Sequence, residues 1–283
     1  MKAMIMAAGV GSRLEPLTCN IPKPMVPVVN RPALEHIIRL LVKNGIHQVA
    51  ANLWYLPDKI MDYFGDGSAF GVSLRYSLEE NLMGTAGGVK KLQDFFDETF
   101  VVISGDALTD INLDALIQAH KEKKAIATIA LMEVEDPRQF GVVITDEDGR
   151  IKAFQEKPQP GEELSRKANT GIYVFEPAIF DHIPAGQVYD FGKQVFPHLV
   201  QAGVPFYGFP IADYWCDIGT LTQYRLANYD VLRGKVRIDI PGIWHPGAVY
   251  VGENTYIAPT AQIGSKVVIG KGCRIADGVE IFG

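Results

Sequence analysis

The sequence predicts an α/β fold with a Rossmann-like, mostly parallel sheet, followed by the start of a left-handed parallel β-helix. Two features point to it. Short apolar runs alternate with amphipathic helical stretches over the first half of the chain, as in βαβ units with right-handed crossovers. In the tail, a branched apolar residue recurs every six positions, at Val251, Ile257, Ile263, Ile269, Ile275 and Ile281.

The alternating part begins with a strand and a long loop. Residues 2–7 are an apolar run that ends at Ala8, and residues 8–30 are rich in Gly and Pro. Apolar residues then share one face of a helix over 33–44, and Gly45 follows as a stop signal. Further strands are predicted at 46–52, 72–76, 99–104 and 125–132, and further helices at 57–64, 86–95 and 112–123.

The pattern becomes β-rich between residues 133 and 212, where we expect an insertion that forms a wall over the main sheet. Its strands are predicted at 140–145, 151–156, 168–176 and 204–209, with helices near 177–183 and 188–201. A last helix over 220–234 completes a domain of residues 1–235, followed by a linker over 236–250 and the repeats over 251–283.

The repeat ends part-way through a hexad, at Gly283. An unpaired end exposes strand edges that natural proteins usually cap. We therefore expect the chain to be cut from a longer one, or its end to be covered by another subunit. Hexapeptide tails often associate, so a homo-oligomer is predicted.

The composition narrows the class of protein. With 47 % apolar residues and a net charge of only −6, the chain does not have the composition of a disordered protein. The negative net charge also differs from the basic excess that nucleic-acid-binding proteins usually have. The longest uncharged stretch, residues 194–212, holds several prolines and glycines, so no membrane helix is predicted. Three scattered cysteines without a CxxC pair indicate a reducing compartment, and we expect a cytoplasmic protein.

The loop after the first strand has the features of a phosphate-binding loop. Gly9 and Gly11 let the backbone turn and approach a ligand, and Arg13 and Lys23 are the cations in the loop. A dinucleotide fingerprint is excluded because Leu14 stands where its third glycine would be, and no P-loop is present. A guanidinium and an ammonium placed by a glycine turn suit a polyphosphate.

The string GVGSRLEPLTCNIPKP resembles the signature of the sugar-1-phosphate nucleotidylyltransferases, and the likeness covers about residues 1–235. Members of that family also carry hexapeptide tails. The resemblance implies that Arg13 and Lys23 bind the nucleotide phosphates and the departing pyrophosphate. It places Ala8, Gly9 and Gly11 in the same nucleotide site.

Two carboxylates lie at element ends. Asp106 follows the strand 99–104, at the sheet edge where α/β proteins bind ligands, and Asp217 precedes the last helix. Each alone is also consistent with a helix cap. Together they match the family's two metal-binding aspartates, and hard carboxylate oxygens suit Mg²⁺. The implied catalytic residues are Arg13, Lys23, Asp106 and Asp217, with one metal ion or two left open.

The segment LMGTAGG at residues 82–88 is similar to the family's base-recognition loop, which places Gly84 and Thr85 at the nucleotide. Small residues there let the backbone press against a flat base. Glu79 is the candidate for base selection, because a carboxylate can accept the two adjacent donors of guanine as a pair. This form looks most like the mannose-1-phosphate guanylyltransferases. The alternative is that Glu79 and Glu80 are a solvated acidic pair.

Three short strings in the β-rich region resemble the family's sugar-phosphate site. They contribute Gly141 as a backbone contact, Glu156, Asn169 and Thr170 toward the sugar, and Lys157 toward the incoming phosphate. Taken singly, surface charge and turn chemistry explain these residues equally well. Lys193, elsewhere in the region, matches no motif and is assigned to packing or surface.

The predicted reaction is nucleotidyl transfer from GTP to mannose 1-phosphate, with release of pyrophosphate. One alternative is uridylyl or thymidylyl transfer to glucose 1-phosphate, since no motif reads the carbon at which the two sugars differ. Another is a non-catalytic regulatory subunit of the same fold. Acyl transfer by the tail is a third hypothesis, but less than two full coils are too few to build a site between subunits.

Overall fold

The computed structural model describes residues 1–283. The helices are α1 (Ala33–Lys43), α2 (Pro57–Phe64), α3 (Gly84–Lys90), α4 (Leu113–Glu122), α5 (Phe196–Ala202) and α6 (Leu221–Leu232). Before the repeats, the strands are β1 (Lys2–Met6), β2 (Pro27–Val28), β3 (Arg31–Pro32), β4 (Gln48–Leu53), β5 (Ser73–Leu78), β6 (Phe100–Ser104), β7 (Ala107–Thr109), β8 (Ala127–Glu133), β9 (Gly141–Thr145), β10 (Ile151–Glu156), β11 (Lys167–Phe175), β12 (Phe206–Pro210) and β13 (Trp215–Asp217). No helix is both long and apolar enough to span a bilayer.

The first half of the chain forms the parallel part of the sheet, in the order β5-β4-β1-β6. The middle strand β1 is buried on both faces: Ala3, Met4 and Ile5 have no exposed surface. Helices cover both sides of such strands, which is why they read as continuous apolar runs. The predicted parallel α/β architecture is confirmed.

The region predicted as an insertion does not form a separate wall over the sheet. Strand β11 pairs antiparallel with both β6 and β8, and β12 pairs parallel with β8, so these strands extend the same sheet. The physical reason is the apolar run at residues 172–175, which is buried throughout and needs an interior position in a sheet. The β9–β10 hairpin joins β11 only through Ala168 and Val142.

Two predicted helices are shorter than expected. The stretch predicted at 86–95 is α3 followed by a 3₁₀ turn at Gln93–Phe95. The stretch predicted at 188–201 is a π-helical turn over Phe191–Val195 that continues into α5. Single π-helical turns are frequent at functional sites.

The tail forms stacked parallel strands, as the six-residue repeat predicted. Val251 pairs with Ile269, Ile257 with Ile275 and Ile263 with Ile281, so each hexad stacks on the hexad three repeats later. The strands are β14 (Ile243–His245), β15 (Val249–Val251), β16 (Tyr256–Ile257), β17 (Gln262–Ile263), β18 (Val267–Ile269), β19 (Arg274–Ile275) and β20 (Glu280–Ile281). Because β14 and β15 pair as a hairpin, ordered structure begins inside the predicted linker.

Three apolar cores hold the molecule together. Two of them contain the side chains on either face of the central sheet. The third lies beneath the long loop after β1 and joins Leu14 and Val26 of that loop to Ile218 and to Val231 of α6. Val268 of the tail packs against it. The loop that carries the predicted phosphate-binding cations is therefore packed against a buried apolar core.

Candidate active site

A cleft of about 240 Å³ lies at the carboxyl ends of β1 and β6. This edge is where parallel α/β sheets bind ligands. The cleft is lined by Met6, Ala7, Ala8, Gly9, Lys23, Pro24, Asn52, Glu79, Leu82, Gly84, Thr85, Ser104, Asp106 and Asp190. It thus brings together most of the residues predicted for the nucleotide site.

A charged cluster of three residues, Lys23, Asp106 and Asp217, lies at this cleft. The Lys23 ammonium forms an ion pair with the Asp106 carboxylate, and its Nζ lies 3.4 Å from Oδ1 of Asp217. The Ser104 hydroxyl donates a 2.8 Å hydrogen bond to the other Asp106 oxygen. Three groups that are far apart in the chain therefore meet at one point, as predicted.

A short antiparallel ladder brings the two carboxylates together. Asp217 of β13 pairs with Ala107 of β7, and the amide of Ile218 donates to the carbonyl of Asp106 at 3.2 Å. Neither strand was predicted, because each has only three residues and lacks a periodic pattern. The short apolar ALT run directly after Asp106 was the available signal.

The Arg13 guanidinium approaches the same cluster from the side. A β-carbon built on Gly219 would lie 2.7 Å from Oδ2 of Asp217 and 3.2 Å from the Arg13 guanidinium. Glycine at this position therefore leaves the space in which the two side chains lie beside each other. All four residues predicted as catalytic are in one region.

The cluster places two carboxylates beside two cations, and burial and these charges shift the pKa values of its members. Burial alone would lower the pKa of Lys23, but Asp106 and Asp217 outweigh it and raise that pKa, so the ammonium stays charged. Burial opposes ionisation of Asp106 too, yet Lys23 holds the pKa of Asp106 below its usual value. Burial and the charge of Asp106 raise the pKa of Asp217. Lys23 and Arg13 together match the charge of the two carboxylates, yet the pKa of Asp217 stays raised because burial and the charge of Asp106 outweigh both cations.

The carboxylates of Asp106 and Asp217 offer hard oxygen ligands that suit a divalent cation such as Mg²⁺. No group of three or more His, Cys, Asp or Glu side chains is arranged to hold a metal ion. A cation at the pair would therefore take its remaining ligands from substrate phosphate and water, as Mg²⁺ commonly does.

Gly11 allows Lys23 to reach the cluster. Its φ of +74° lies in the left-handed region, and a β-carbon there would be 2.8 Å from Cβ of Lys23. The Thr18 hydroxyl donates to the Gly11 carbonyl at 2.9 Å, and the Tyr55 hydroxyl donates to the Thr18 carbonyl at 3.0 Å. These hydrogen bonds hold the loop in place without a ligand. Tyr55, which was given no role from the sequence, supplies one of them.

The glycines of the GTAGG segment make room for the protein's own chain. A β-carbon on Gly84 would lie 2.6 Å from the carbonyl oxygen of Tyr189, and one on Gly87 would lie 2.7 Å from that of Gln187. The predicted reason, contact with a flat base, is therefore not needed to explain them. These glycines join the start of α3 to a segment more than a hundred residues later in the chain.

Glu79 is a buried residue with 7 % of its surface exposed, so it is not a solvated acidic side chain. Its Oε1 accepts a 2.7 Å hydrogen bond from the Asn52 amide, and its Oε2 accepts one of 2.9 Å from the Met83 backbone. Asn52 in turn accepts from the Ala7 amide at 3.0 Å. Glu79 thereby ties the loop before α3 to the end of β1, while lining the cleft.

The predicted sugar side is built around Glu156. Gly141 of β9 pairs with Glu156 of β10, and a β-carbon on Gly141 would lie 3.0 Å from Oε2 of Glu156. Lys157 adopts a φ of +45°, which is unusual for a non-glycine residue, and its Nζ lies 4.0 Å from Oε1 of Glu156. Burial raises the pKa of Glu156, and the nearby charge of Asp190 adds to that rise.

Asn169 and Thr170 lie where the pairing of β11 with β8 is irregular. Asn169 accepts from the Gly171 amide at 3.0 Å and donates to the Tyr173 hydroxyl at 3.1 Å. The buried Thr170 hydroxyl donates to the Ala130 carbonyl at 2.8 Å. The Thr170 side chain is thus committed to the sheet, and the prediction that it binds substrate stays a prediction.

Asp190 lines the cleft and was not among the predicted site residues. Its Oδ1 accepts from the amide and the hydroxyl of Thr85, at 3.1 and 3.2 Å. The Phe191 amide donates to the same hydroxyl at 2.9 Å. The only signal in the sequence was a lone carboxylate between two aromatic residues.

Comparisons with known proteins identify the family. A family model described as nucleotidyl transferase matches residues 2–234. The chain belongs to this family. A second model, described as bacterial transferase hexapeptide (six repeats), matches residues 248–283. The family resemblance drawn from the glycine-rich loop and the repeat is confirmed.

Similar proteins differ in the nucleotide and sugar that their names give. A UTP–glucose-1-phosphate uridylyltransferase from Synechocystis is 45 % identical over all of this chain and 77 % of its own length. A mannose-1-phosphate guanylyltransferase from Mycobacterium tuberculosis is 35 % identical over 99 % of this chain and 78 % of its own length. The motifs in the sequence resemble the guanylyltransferases most, but the percentage identities to these two relatives do not favour the guanylyltransferase.

Among solved structures, one described as a glucose-1-phosphate thymidylyltransferase from Bacillus anthracis superimposes with a TM-score of 0.73 and 26 % identity. The alignment covers 84 % of this chain and 96 % of the other. The nucleotidyltransferase fold is therefore shared over nearly the whole of that relative.

Proposed function

We propose that this protein transfers a nucleotidyl group from a nucleoside triphosphate to a sugar 1-phosphate and releases pyrophosphate. The observation that carries the proposal is the meeting of Lys23, Asp106 and Asp217 at the cleft, with Arg13 beside Asp217. A phosphate oxygen of the sugar 1-phosphate attacks the α-phosphorus in line with the departing pyrophosphate. Because that oxygen is already an anion, the reaction needs no strong general base.

The work left to the protein is electrostatic, since two polyanions must approach each other. Lys23 and Arg13 neutralise the charge that develops on the triphosphate and the leaving group, from positions set before binding. Lys157 holds the phosphate of the sugar substrate. A divalent cation at Asp106 and Asp217, Mg²⁺ by the preference of hard oxygen ligands, would supply further positive charge there.

For the base and the sugar we propose guanine and mannose. Glu79 lines the cleft, and each of its oxygens retains a second lone pair beyond the one used by Asn52 or Met83. The adjacent ring and amino donors of guanine would match this pair of acceptors.

Uridylyl transfer to glucose 1-phosphate is the second candidate. Two observations favour it: the 45 % identity to the Synechocystis relative, and the engagement of both Glu79 oxygens within the protein. In this case Glu79 would organise the loop rather than read the base.

A grid of the four nucleoside triphosphates against mannose, glucose and N-acetylglucosamine 1-phosphates, assayed for pyrophosphate release with Mg²⁺, tests the proposal. Fastest turnover with GTP and mannose 1-phosphate supports the first candidate. Fastest turnover with UTP and glucose 1-phosphate supports the second. Absence of turnover with every pair would contradict nucleotidyl transfer and support a non-catalytic role.

A further inference from the structure

A segment that we term the bridge, residues 187–193, connects the cleft to the predicted sugar site through Asp190, which lines the cleft. On the nucleotide side, the Tyr189 carbonyl accepts from the amides of Ala86 and Gly87, both at 2.9 Å. The Tyr189 amide donates to the carbonyl of Met83, also at 2.9 Å. The bridge is therefore bonded to the start of α3, next to the predicted nucleotide site.

On the sugar side, the bridge lies against Glu156. The Glu156 carboxylate is so close to Gly192 that any β-carbon there would collide with it. Lys193 belongs to the π-helical turn that begins at Phe191, and its charge acts on Glu156. Gly192 thus lies against Glu156, which is predicted to contact the sugar, and Lys193 is the next residue in the chain.

Two lysines and two carboxylates meet at this point. Lys193 Nζ lies 3.8 Å from Oδ2 of Asp190, and Lys157 Nζ lies 4.0 Å from Oε1 of Glu156. Both lysine side chains are about two-thirds exposed, at 66 % and 64 %. Both also counter the burial that raises the pKa of Glu156.

Long, exposed ion pairs such as these contribute little to stability, and their ammonium groups remain free to turn toward a stronger partner. A phosphate dianion is such a partner, because its charge-assisted hydrogen bonds are stronger than those of an exposed pair. Lys157 comes from the hairpin and Lys193 from the bridge, so together they can approach one phosphate from two sides.

We propose that Lys193 is a second cation for the phosphate group of the sugar 1-phosphate, with Asp190 as the residue that positions it. This inference rests on the proposed function and deepens it. Asp190 is itself held by Thr85, so the placement of Lys193 depends on the nucleotide side of the cleft.

The test compares Lys193→Met and Lys193→Arg with Lys152→Met. Lys152 is a matched control, because it is an exposed lysine of β10 paired with Asp146 at 3.0 Å. We expect Lys193→Met to raise the KM for the sugar 1-phosphate about tenfold, the loss of one charge-assisted hydrogen bond. The KM for the triphosphate should stay within about twofold, since such a change is under 1 kcal/mol. Lys193→Arg should retain most of the affinity.

An unchanged KM for the sugar 1-phosphate in Lys193→Met would overturn the inference. So would an equal rise in both KM values, or failure of arginine to rescue, since these indicate a structural role. Calorimetric binding of mannose 1-phosphate and glucose 1-phosphate separates this inference from the proposed function. Loss of binding in Lys193→Met supports the inference even if the wild type shows no turnover, and wild-type affinity in the variant contradicts it.

Discussion

The reaction end and the sugar end of the proposed active site hold their charges in different ways. At the reaction end, Lys23 is 10 % exposed and lies between two carboxylates on a strand ladder. At the sugar end, Lys157 and Lys193 are about two-thirds exposed and sit in loose ion pairs. The first arrangement exists before binding, while the second leaves two exposed ammonium groups free to turn toward a stronger partner. Changes at the reaction end should therefore lower kcat, and changes at the sugar end should mainly raise KM.

The strongest test of this contrast is Lys23→Ala. Removal of a preorganised donor typically lowers kcat about 10²–10³-fold, and we expect this range. Steady-state kinetics measure it, with a thermal melt to verify that the protein remains folded after the two carboxylates lose the ammonium between them. A kcat close to that of the wild type would show that Lys23 is outside the reacting centre.

Asp217→Asn tests the proposed metal site at the same end. We expect kcat to fall about 10²-fold, because one of the two ligands loses its charge. Mn²⁺ titrated in the presence of nucleotide and followed by electron paramagnetic resonance should bind more weakly. Asp148→Asn, a change at an exposed carboxylate, is the control and should alter neither quantity. Unchanged Mn²⁺ affinity in Asp217→Asn would remove Asp217 from the proposed metal site.

Lys157→Met tests the same contrast at the sugar end. We expect the KM for the sugar 1-phosphate to rise about tenfold while kcat changes less, because an exposed cation there contributes to binding more than to the transition state. Initial rates over a range of sugar 1-phosphate concentrations at saturating triphosphate give both values. A large fall in kcat with unchanged KM would show that Lys157 acts on the reaction step, as Lys23 is expected to, and would contradict the contrast between the two ends.

Glu79→Gln tests whether Glu79, at the reaction end, selects the base of the nucleotide. If Glu79 reads guanine, the preference for GTP over UTP should fall about tenfold, since one carboxylate acceptor is replaced by an amide donor. The ratio of kcat/KM for the two triphosphates measures this. An unchanged ratio would leave Glu79 only its contacts to Asn52 and Met83.

Glu156→Gln should have the smallest effect, on stability. Burial raises the pKa of Glu156 in the folded protein above its unfolded value, so ionisation weakens the fold as the pH rises through that range. We therefore expect the variant to melt slightly above the wild type at pH 7, and the difference to vanish in acid where both side chains are neutral. A lower melting temperature for the variant at pH 7 would indicate that the carboxylate is stabilised by its partners.

Much of the fold could be predicted because the signals were local. The apolar runs that became β1, β4 and β6, the helix stop at Gly45 and the six-residue repeat are each contained within a short stretch of sequence. The cations of the glycine-rich loop were found in the same way. The expectation that residues 133–212 form a wall over the main sheet was wrong, because the partners of β11 are set by long-range pairing that a local pattern does not reveal.

By itself the sequence determined the parallel α/β domain, the stacked repeats and the identity of the charged groups, since periodicity and motif spacing are properties of neighbouring residues. Only the tertiary structure decided which charges meet. The β7–β13 ladder joins Asp106 to Asp217, the bridge brings Asp190 to Thr85, and Gly84 and Gly87 let the main chain pass. These contacts join segments far apart in the chain, and they form only because burying the three apolar cores brings those segments together.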